Sequence, residues 1–190
     1  MNLVSIILGS IFVNNYVLAQ FLGICPSLGV SKKLDTSIGM GLAVTFVITL
    51  SSVITLLINK YVLVALGLGY LRTLAFILVI ASLVQFVEMF LKKASPSLYS
   101  ALGVFLPLIT TNCVVLGVAI LNVDNGYGIV ETVVNSISAS IGFTLALVLL
   151  SAIREKYELV DLPKSFRGIP MALLSLGLLS IAFFGFKGLV

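Results

Sequence analysis

The residues of this chain with the most chemistry in them are two cysteines, Cys25 and Cys113, set among apolar stretches with no histidine anywhere. Thiolates are soft ligands that suit iron–sulfur clusters. Such a cluster usually takes four cysteines, so two thiolates leave the set half filled. If these two are ligands, a second chain supplies the others. A lone membrane cysteine also serves as a small apolar packing group. A disulfide is disfavoured, because both cysteines lie in or beside apolar segments away from oxidising aqueous loops. The missing histidine removes imidazole proton relays and bis-histidine haem ligation.

Beside the cysteines stand polar side chains at unusual places. Asn14 and Asn15 interrupt one apolar run, and Thr110, Thr111 and Asn112 interrupt another just before Cys113. Such groups at bilayer depth need hydrogen-bond partners or cost free energy. They can line an ion path, or they can simply join neighbouring helices. Pro26 and Pro107 read as breakers of the two runs, with Gly23 and Gly117 adding flexibility. Glu88 is the acidic residue deepest in an apolar run. Burying such a charge at the bilayer centre costs about 2.5–3.5 kcal/mol, which makes it an ion-path candidate. Its neighbour Lys92 at i+4 offers the plainer reading of a snorkelling ion pair.

The elements that hold these residues follow from composition. Of 190 residues, 60% are hydrophobic and 9% charged, with a mean hydropathy of +1.25. A soluble domain is about 25% charged, so the bilayer is the solvent that fits this chain. The net charge of +4 is spread as short basic pairs between apolar runs. That is a topology signal, not the clustered basic face of a nucleic-acid-binding protein. No Walker A loop, dinucleotide fingerprint, CxxC, HExxH or catalytic triad is present. The loops are too short for a soluble catalytic domain. The N-terminus lacks a basic leader region and is expected to be a retained first helix.

Uncharged runs at 1–31, 36–59, 94–123, 132–153 and 168–186, with a sixth apolar stretch around Leu74–Leu91, predict an all-α membrane protein. Its six spans are expected near 3–24, 37–58, 73–91, 99–121, 132–153 and 169–188, each near the ~20 residues a crossing helix needs. The piece 61–71 is expected at the interface. The loops carrying Lys32 and Lys33, Lys92 and Lys93, and Arg154, Lys156, Lys164 and Arg167 fall on one side. Lys60, Arg72 and Lys187 fall on the other. The excess of positive charge places the first side in the cytoplasm and both termini outside.

An internal repeat is also visible. Residues 37–54 match 136–153 at six of 18 positions, including Ser37/Ser136, Thr45/Thr144 and Ser52/Ser151. Asn15-Tyr16-Val17 aligns with Asn112-Cys113-Val114 at a nearby shift. The reading is a single membrane domain, 1–190, made of repeats at about 1–95 and 96–190. With three spans each, the second repeat enters from the opposite side, as in many transport proteins. Ser37, Gly41, Ser136, Ser138, Ser140 and Gly142 form small-xxx-small pairs and are expected to let helices pack closely.

Several long stretches together carry a family resemblance. FVNNYVLAQFLGICPSLGVSKKLDTSIGMGLA (12–43), LRTLAFILVIASLVQFVEM (71–89), LGVFLPLITTNCVVLGVAIL (102–121), AIRE (152–155) and LPKSFRG (162–168) resemble the RnfA/RnfE/NqrD/NqrE family, RnfA most of all. The resemblance covers essentially the whole chain. It implies a subunit of the Rnf complex, which passes electrons between ferredoxin and NAD and moves Na⁺ or H⁺ across a bacterial or archaeal cytoplasmic membrane. It implies that Cys25 and Cys113 each ligate one [2Fe–2S] cluster. Two further ligands would come from an RnfE-like subunit of opposite orientation. The implied neighbours are the other Rnf subunits (B, C, D and G) and membrane lipid, with no flavin or NAD held by this chain. A stand-alone secondary transporter and a structural scaffold remain the competing readings. A simple helix count puts Cys25 at a helix end and Cys113 mid-membrane, so they meet only if helix 1 is broken.

Overall fold

The structure, a computed structural model, describes residues 3–31, 34–67, 69–94, 108–109, 111–160, 163 and 166–186. The described residues form helices and connecting turns, with no strand among them. In chain order these are α1 (Leu3–Leu8), continued by a π-helical turn to Val13, then α2 (Ile24–Val30) and α3 (Leu34–Ile58). A second π-helical turn leads into α4 (Val64–Leu66), followed by α5 (Arg72–Ala94). Then come α6 (Cys113–Asp124), α7 (Ile129–Glu158) and α8 (Ile169–Phe184).

Among the described residues three apolar helices are long enough to cross a membrane: Leu34–Leu63, Gly69–Met89 and Ile129–Tyr157. Three more, Leu3–Val13, Cys113–Asp124 and Ile169–Phe184, are apolar but shorter. At 1.5 Å per residue, the 12-residue α6 reaches about 18 Å, well short of the ~30 Å hydrocarbon layer. The first helical stretch is shorter still. The run 3–24, expected as a broken or irregular first span, is helical over Leu3–Val13 and then turns through residues 14–23 into α2 at Ile24. In the run expected at 99–121, residues 99–107 and 110 lie outside the described ones, and α6 starts at Cys113 and extends to Asp124. Pro107 lies outside the described residues.

The break in the first helix is not at Pro26. Pro26 sits in the opening turn of α2, where its missing N–H costs nothing. The chain instead turns at Phe21 (φ 56°) and Gly23 (φ 81°). A bulky residue in the left-handed region is uncommon and strained. Glycine is needed at 23 for a second reason: a Cβ there would lie 2.6 Å from Val114 Cγ2 and 2.9 Å from Phe143. Gly117, expected to loosen its helix, is a close-approach site, since a Cβ would meet Leu22 Cδ1 at 2.5 Å.

The core is built around α3 and α7, which pack along each other, with α6 against α3 and the first helix against α7. The small residues have the expected place: Ser37, Gly41, Ser136, Ser138, Ser140 and Gly142 are all buried. A Cβ on Gly41 would come 2.4 Å from Thr144 Oγ1, so the two helices touch backbone to side chain there. Hydroxyls inside the helices bond their own backbone, as Thr45 does to the Gly41 carbonyl at 2.7 Å and Thr144 to that of Ser140 at 2.8 Å. On the opposite face of α3, Ile38, Leu42, Phe46 and Leu50 are exposed at four-residue spacing. An apolar outer face over a packed inner one is what a bilayer-facing helix presents.

The ends carry the polar ties. At one end of α7, Arg154 Nη1 donates to the Leu28 carbonyl at 2.9 Å and to Ser31 Oγ at 2.8 Å. Glu155 there accepts from the Leu34 N–H, which opens α3, at 3.0 Å. At the other end, Arg72 pairs with Asp124 at 2.6 Å. The positions around 31–34 and 154–155 thus share one end and those at 72 and 124 the other, the same sorting that the basic residues suggest. Phe12 and Phe186 rings lie 5.9 Å apart, so the two terminal helices meet as well. The piece expected at the interface, 61–71, continues α3 in helical form to Leu66 before turning at Gly67.

The α3–α7 contact makes a specific demand. Gly41→Ala should lower the thermal stability of the detergent-solubilised protein by about 1–3 kcal/mol through overpacking. Thr144→Ala in the same chain should recover most of that loss. Gly39→Ala, with open space around it, should change little. Equal behaviour of Gly41→Ala and Gly39→Ala would contradict the packing.

Candidate functional site

The break in the first helix is held by Asn15. Its side chain is fully buried. Oδ1 accepts from the backbone N–H of Val17 at 3.0 Å and of Leu18 at 3.3 Å. Nδ2 donates to the Ile11 carbonyl at 3.1 Å and to the Gly142 carbonyl of α7 at 2.8 Å. One amide thus replaces several lost helical bonds where water is scarce. Asn112 does a related job before α6: its Oδ1 accepts from the Val114 N–H at 3.1 Å, capping the helix. In both places an asparagine oxygen takes the N–H two residues on, at the positions that align in the two halves of the sequence.

Between these two clasps the chain around Cys25 approaches Cys113. Cys113 is the first residue of α6, and Cys25 is the second residue of α2. The Gly23 N–H donates to Cys113 Sγ at 2.8 Å. Gly23 is two residues from Cys25, at most about 7 Å of chain. The break thus removes the depth mismatch of two straight helices at the backbone: Cys25 stands two residues from the N–H that meets Cys113 Sγ. Cys25 is exposed and Cys113 half-buried, and both are free thiols. Among the described residues no three His, Cys, Asp or Glu side chains gather as a metal site. What this chain offers is a pair of soft donors with an N–H already aimed at one sulfur and one open flank. That fits half of a four-thiolate set.

The other polar candidates divide. Asn14 is exposed, and with Asn15, Gln20 and Ser180 it lines a cavity of about 460 Å³ between the break and α8. The Ser180 hydroxyl donates to the Leu18 carbonyl within the break. Thr111 is exposed, and Thr110 lies outside the described residues. Glu88 is half-buried on α5, away from the breaks in sequence, and the side chain of Lys92 lies outside the described ones.

Sequence reading missed a buried polar chain. Ser10 Oγ donates to Asn135 Oδ1 at 2.5 Å, and Asn135 Nδ2 donates to Asn122 Oδ1 at 2.6 Å and more weakly to Tyr16 OH at 3.5 Å. Asn122 Nδ2 reaches Ser136 Oγ at 3.3 Å. This ties the first helix to α6 and α7 just beside the break. The signal was available: Asn122 and Asn135 are amides at span ends, of the same kind as Asn15.

Comparison with known proteins decides the family. The pattern of the family described as "Rnf-Nqr subunit, membrane protein" matches residues 3–190. The chain belongs to the Rnf-Nqr family. Among curated Rnf-Nqr relatives, the A subunit of the Na⁺-translocating ferredoxin:NAD⁺ oxidoreductase complex of Acetobacterium woodii is 58% identical over 189 residues, covering 100% of this chain and 98% of that protein. The A subunit of an ion-translocating oxidoreductase complex of Edwardsiella ictaluri is 57% identical over 185 residues, 97% of this chain and 96% of the relative. The corresponding protein of Yersinia enterocolitica is 57% identical over 182 residues, 96% and 94%. The expectation of an Rnf-Nqr membrane protein is borne out.

The clasp role of Asn15 is directly testable. Asn15→Ala strands the Val17 and Leu18 N–H groups in a buried place, at about 1–3 kcal/mol for each unmet group, and cuts the tie to the Gly142 carbonyl. The variant should show a clearly lowered melting temperature and poor recovery of folded protein. Asn14→Ala, at an exposed site, should be recovered like wild type. Wild-type stability in Asn15→Ala would remove the clasp.

Proposed function

We propose that this chain is the A subunit of an ion-translocating ferredoxin:NAD⁺ oxidoreductase complex, and that Cys25 and Cys113 supply two of the four ligands of one [2Fe–2S] cluster inside the membrane. The names of its full-length relatives support the complex and its coupled ion movement. The observation that carries the cluster is the Gly23 N–H to Cys113 Sγ bond, which puts Cys113 two residues of chain from Cys25. The remaining two ligands come from a homologous, RnfE-like subunit inserted in the opposite sense, seated over exposed Cys25. Other Rnf subunits (B, C, D and G) complete the electron path, and this chain holds no flavin or NAD.

The arrangement suits that task. When bound, the cluster supplies a one-electron relay at membrane depth. Cys25 and Cys113 hold it from the openings of two short helices, and Gly23 N–H orients Cys113 Sγ. Asn15 and Asn112 keep the two breaks open against the tendency of apolar chain to close into plain helix. The cavity at the break is mostly apolar, with Asn14, Gln20 and Ser180 as the polar groups in its wall that a passing Na⁺ or water could use. Added negative charge in a low-dielectric site attracts a cation strongly. Thr110, Thr111, Asn112 and Glu88 are the further ion-path candidates. The excess of basic residues on the Arg154 side supports a six-span topology with that end in the cytoplasm and both termini outside.

Iron analysis and EPR of the complex purified with its partner subunits test the reading. A reduced [2Fe–2S] signal present in wild type and lost in both Cys25→Ser and Cys113→Ser is the expected result. A full, unchanged set of cluster signals in both variants would leave a transporter or scaffold as the better account.

A further inference from the structure

Asn112 is 4% exposed, yet its Nδ2 is buried with no hydrogen-bond partner among the described residues. Which end of the amide is which is settled by geometry: Oδ1 takes the Val114 N–H at 3.1 Å, so the free end is the donor. Buried amide donors are rarely left unmet, because each costs the desolvation of an N–H. The aligned residue, Asn15, shows the complete case, with Nδ2 spent on two carbonyls of this chain. Asn112 has no such carbonyl. It directly precedes Cys113, at the start of a 12-residue helix whose first N–H groups favour negative charge.

We propose that Asn112 Nδ2 donates a hydrogen bond to a sulfur of the iron–sulfur cluster held at Cys113, and acts with Gly23 N–H as a pair of donors that raise its reduction potential. The proposal rests on the cluster reading above. Hydrogen bonds to cluster sulfurs tune the potential. They stabilise the more negative, reduced state over the oxidised one. Asn112 is a positioning and tuning residue; it ligates no iron. The asymmetry with Asn15 then has a reason: one asparagine closes its bonds within the fold, and the other keeps a donor for the bound group.

The test is an EPR-monitored redox titration of the intact complex carrying Asn112→Ser or Asn112→Thr. Both keep a neutral oxygen to cap α6 and lose the amide donor. Retained iron with a midpoint shifted to more negative potential, on the order of tenfold in the reduction equilibrium or about 59 mV for one electron, is the expected result. A nitrogen hyperfine coupling to the reduced cluster in wild type grown with ¹⁵N-asparagine should disappear in these variants. An unchanged midpoint in an iron-replete variant overturns the proposal. If neither variant assembles, the labelled wild type decides: an asparagine coupling supports the donor and its absence overturns it. A wild-type complex with no cluster at this site instead sinks the underlying cluster reading, a distinct outcome.

Discussion

In a bilayer, a backbone N–H or carbonyl that leaves its helix must find a partner within the protein, and the whole architecture follows from how this chain meets that demand at residues 14–23 and just before Cys113. Two asparagines do most of it. Asn15 spans the first break from both sides and ties it to the Gly142 carbonyl of α7. Asn112 caps α6 after the second. Without them, apolar sequence of this kind closes into continuous helix, and Cys25 and Cys113 stay at different depths. With them, Gly23 reaches Cys113 Sγ, and Cys25 follows two residues later in the chain.

The remaining structure serves to make that junction rigid. The close pairing of α3 and α7 through small residues provides a firm wall for Asn15 to bond to. The chain of Ser10, Asn135 and Asn122 locks the first helix against α6 and α7 within a turn of the break. Arg154 holds the far end of α2 by the Leu28 carbonyl and Ser31 hydroxyl. The proposed redox centre would gain from such rigidity, because a fixed donor set reorganises little when charge arrives. The strained Phe21, by contrast, marks where the break is forced rather than relaxed.

How far the sequence foretold this depends on the kind of signal. Charge-free runs and small-residue spacing follow from solvent and packing, and they located α3, α5, α7 and α8 to within a few residues. Basic residues were sorted to the ends where Arg154 and Arg72 now make their bonds. The breaks were harder. Prolines drew attention to Pro26, yet proline is harmless in the first turn of a helix, and the turn was set by Phe21 and Gly23 upstream of it. Gly117 looked like a loose joint and proved to be a tight seat for Leu22. Asn15 and Asn112 were legible as buried amides, but whether an amide binds an ion or clasps a backbone depends on three-dimensional neighbours that spacing does not encode. Asn122 and Asn135 went unread for the same reason, since their partners are 13 or more residues away or on another helix.

The meeting of the two cysteines is the claim on which the account stands, and it can be examined without reference to any bound group. In chelator-treated protein, a short, flexible bis-methanethiosulfonate reagent should bridge Cys25 and Cys113 within one chain, seen by mass spectrometry as a single linked pair of peptides. That result is the one the account predicts. Two cysteines that each take up the reagent singly, with no internal bridge at any reagent length in a graded series, would contradict it.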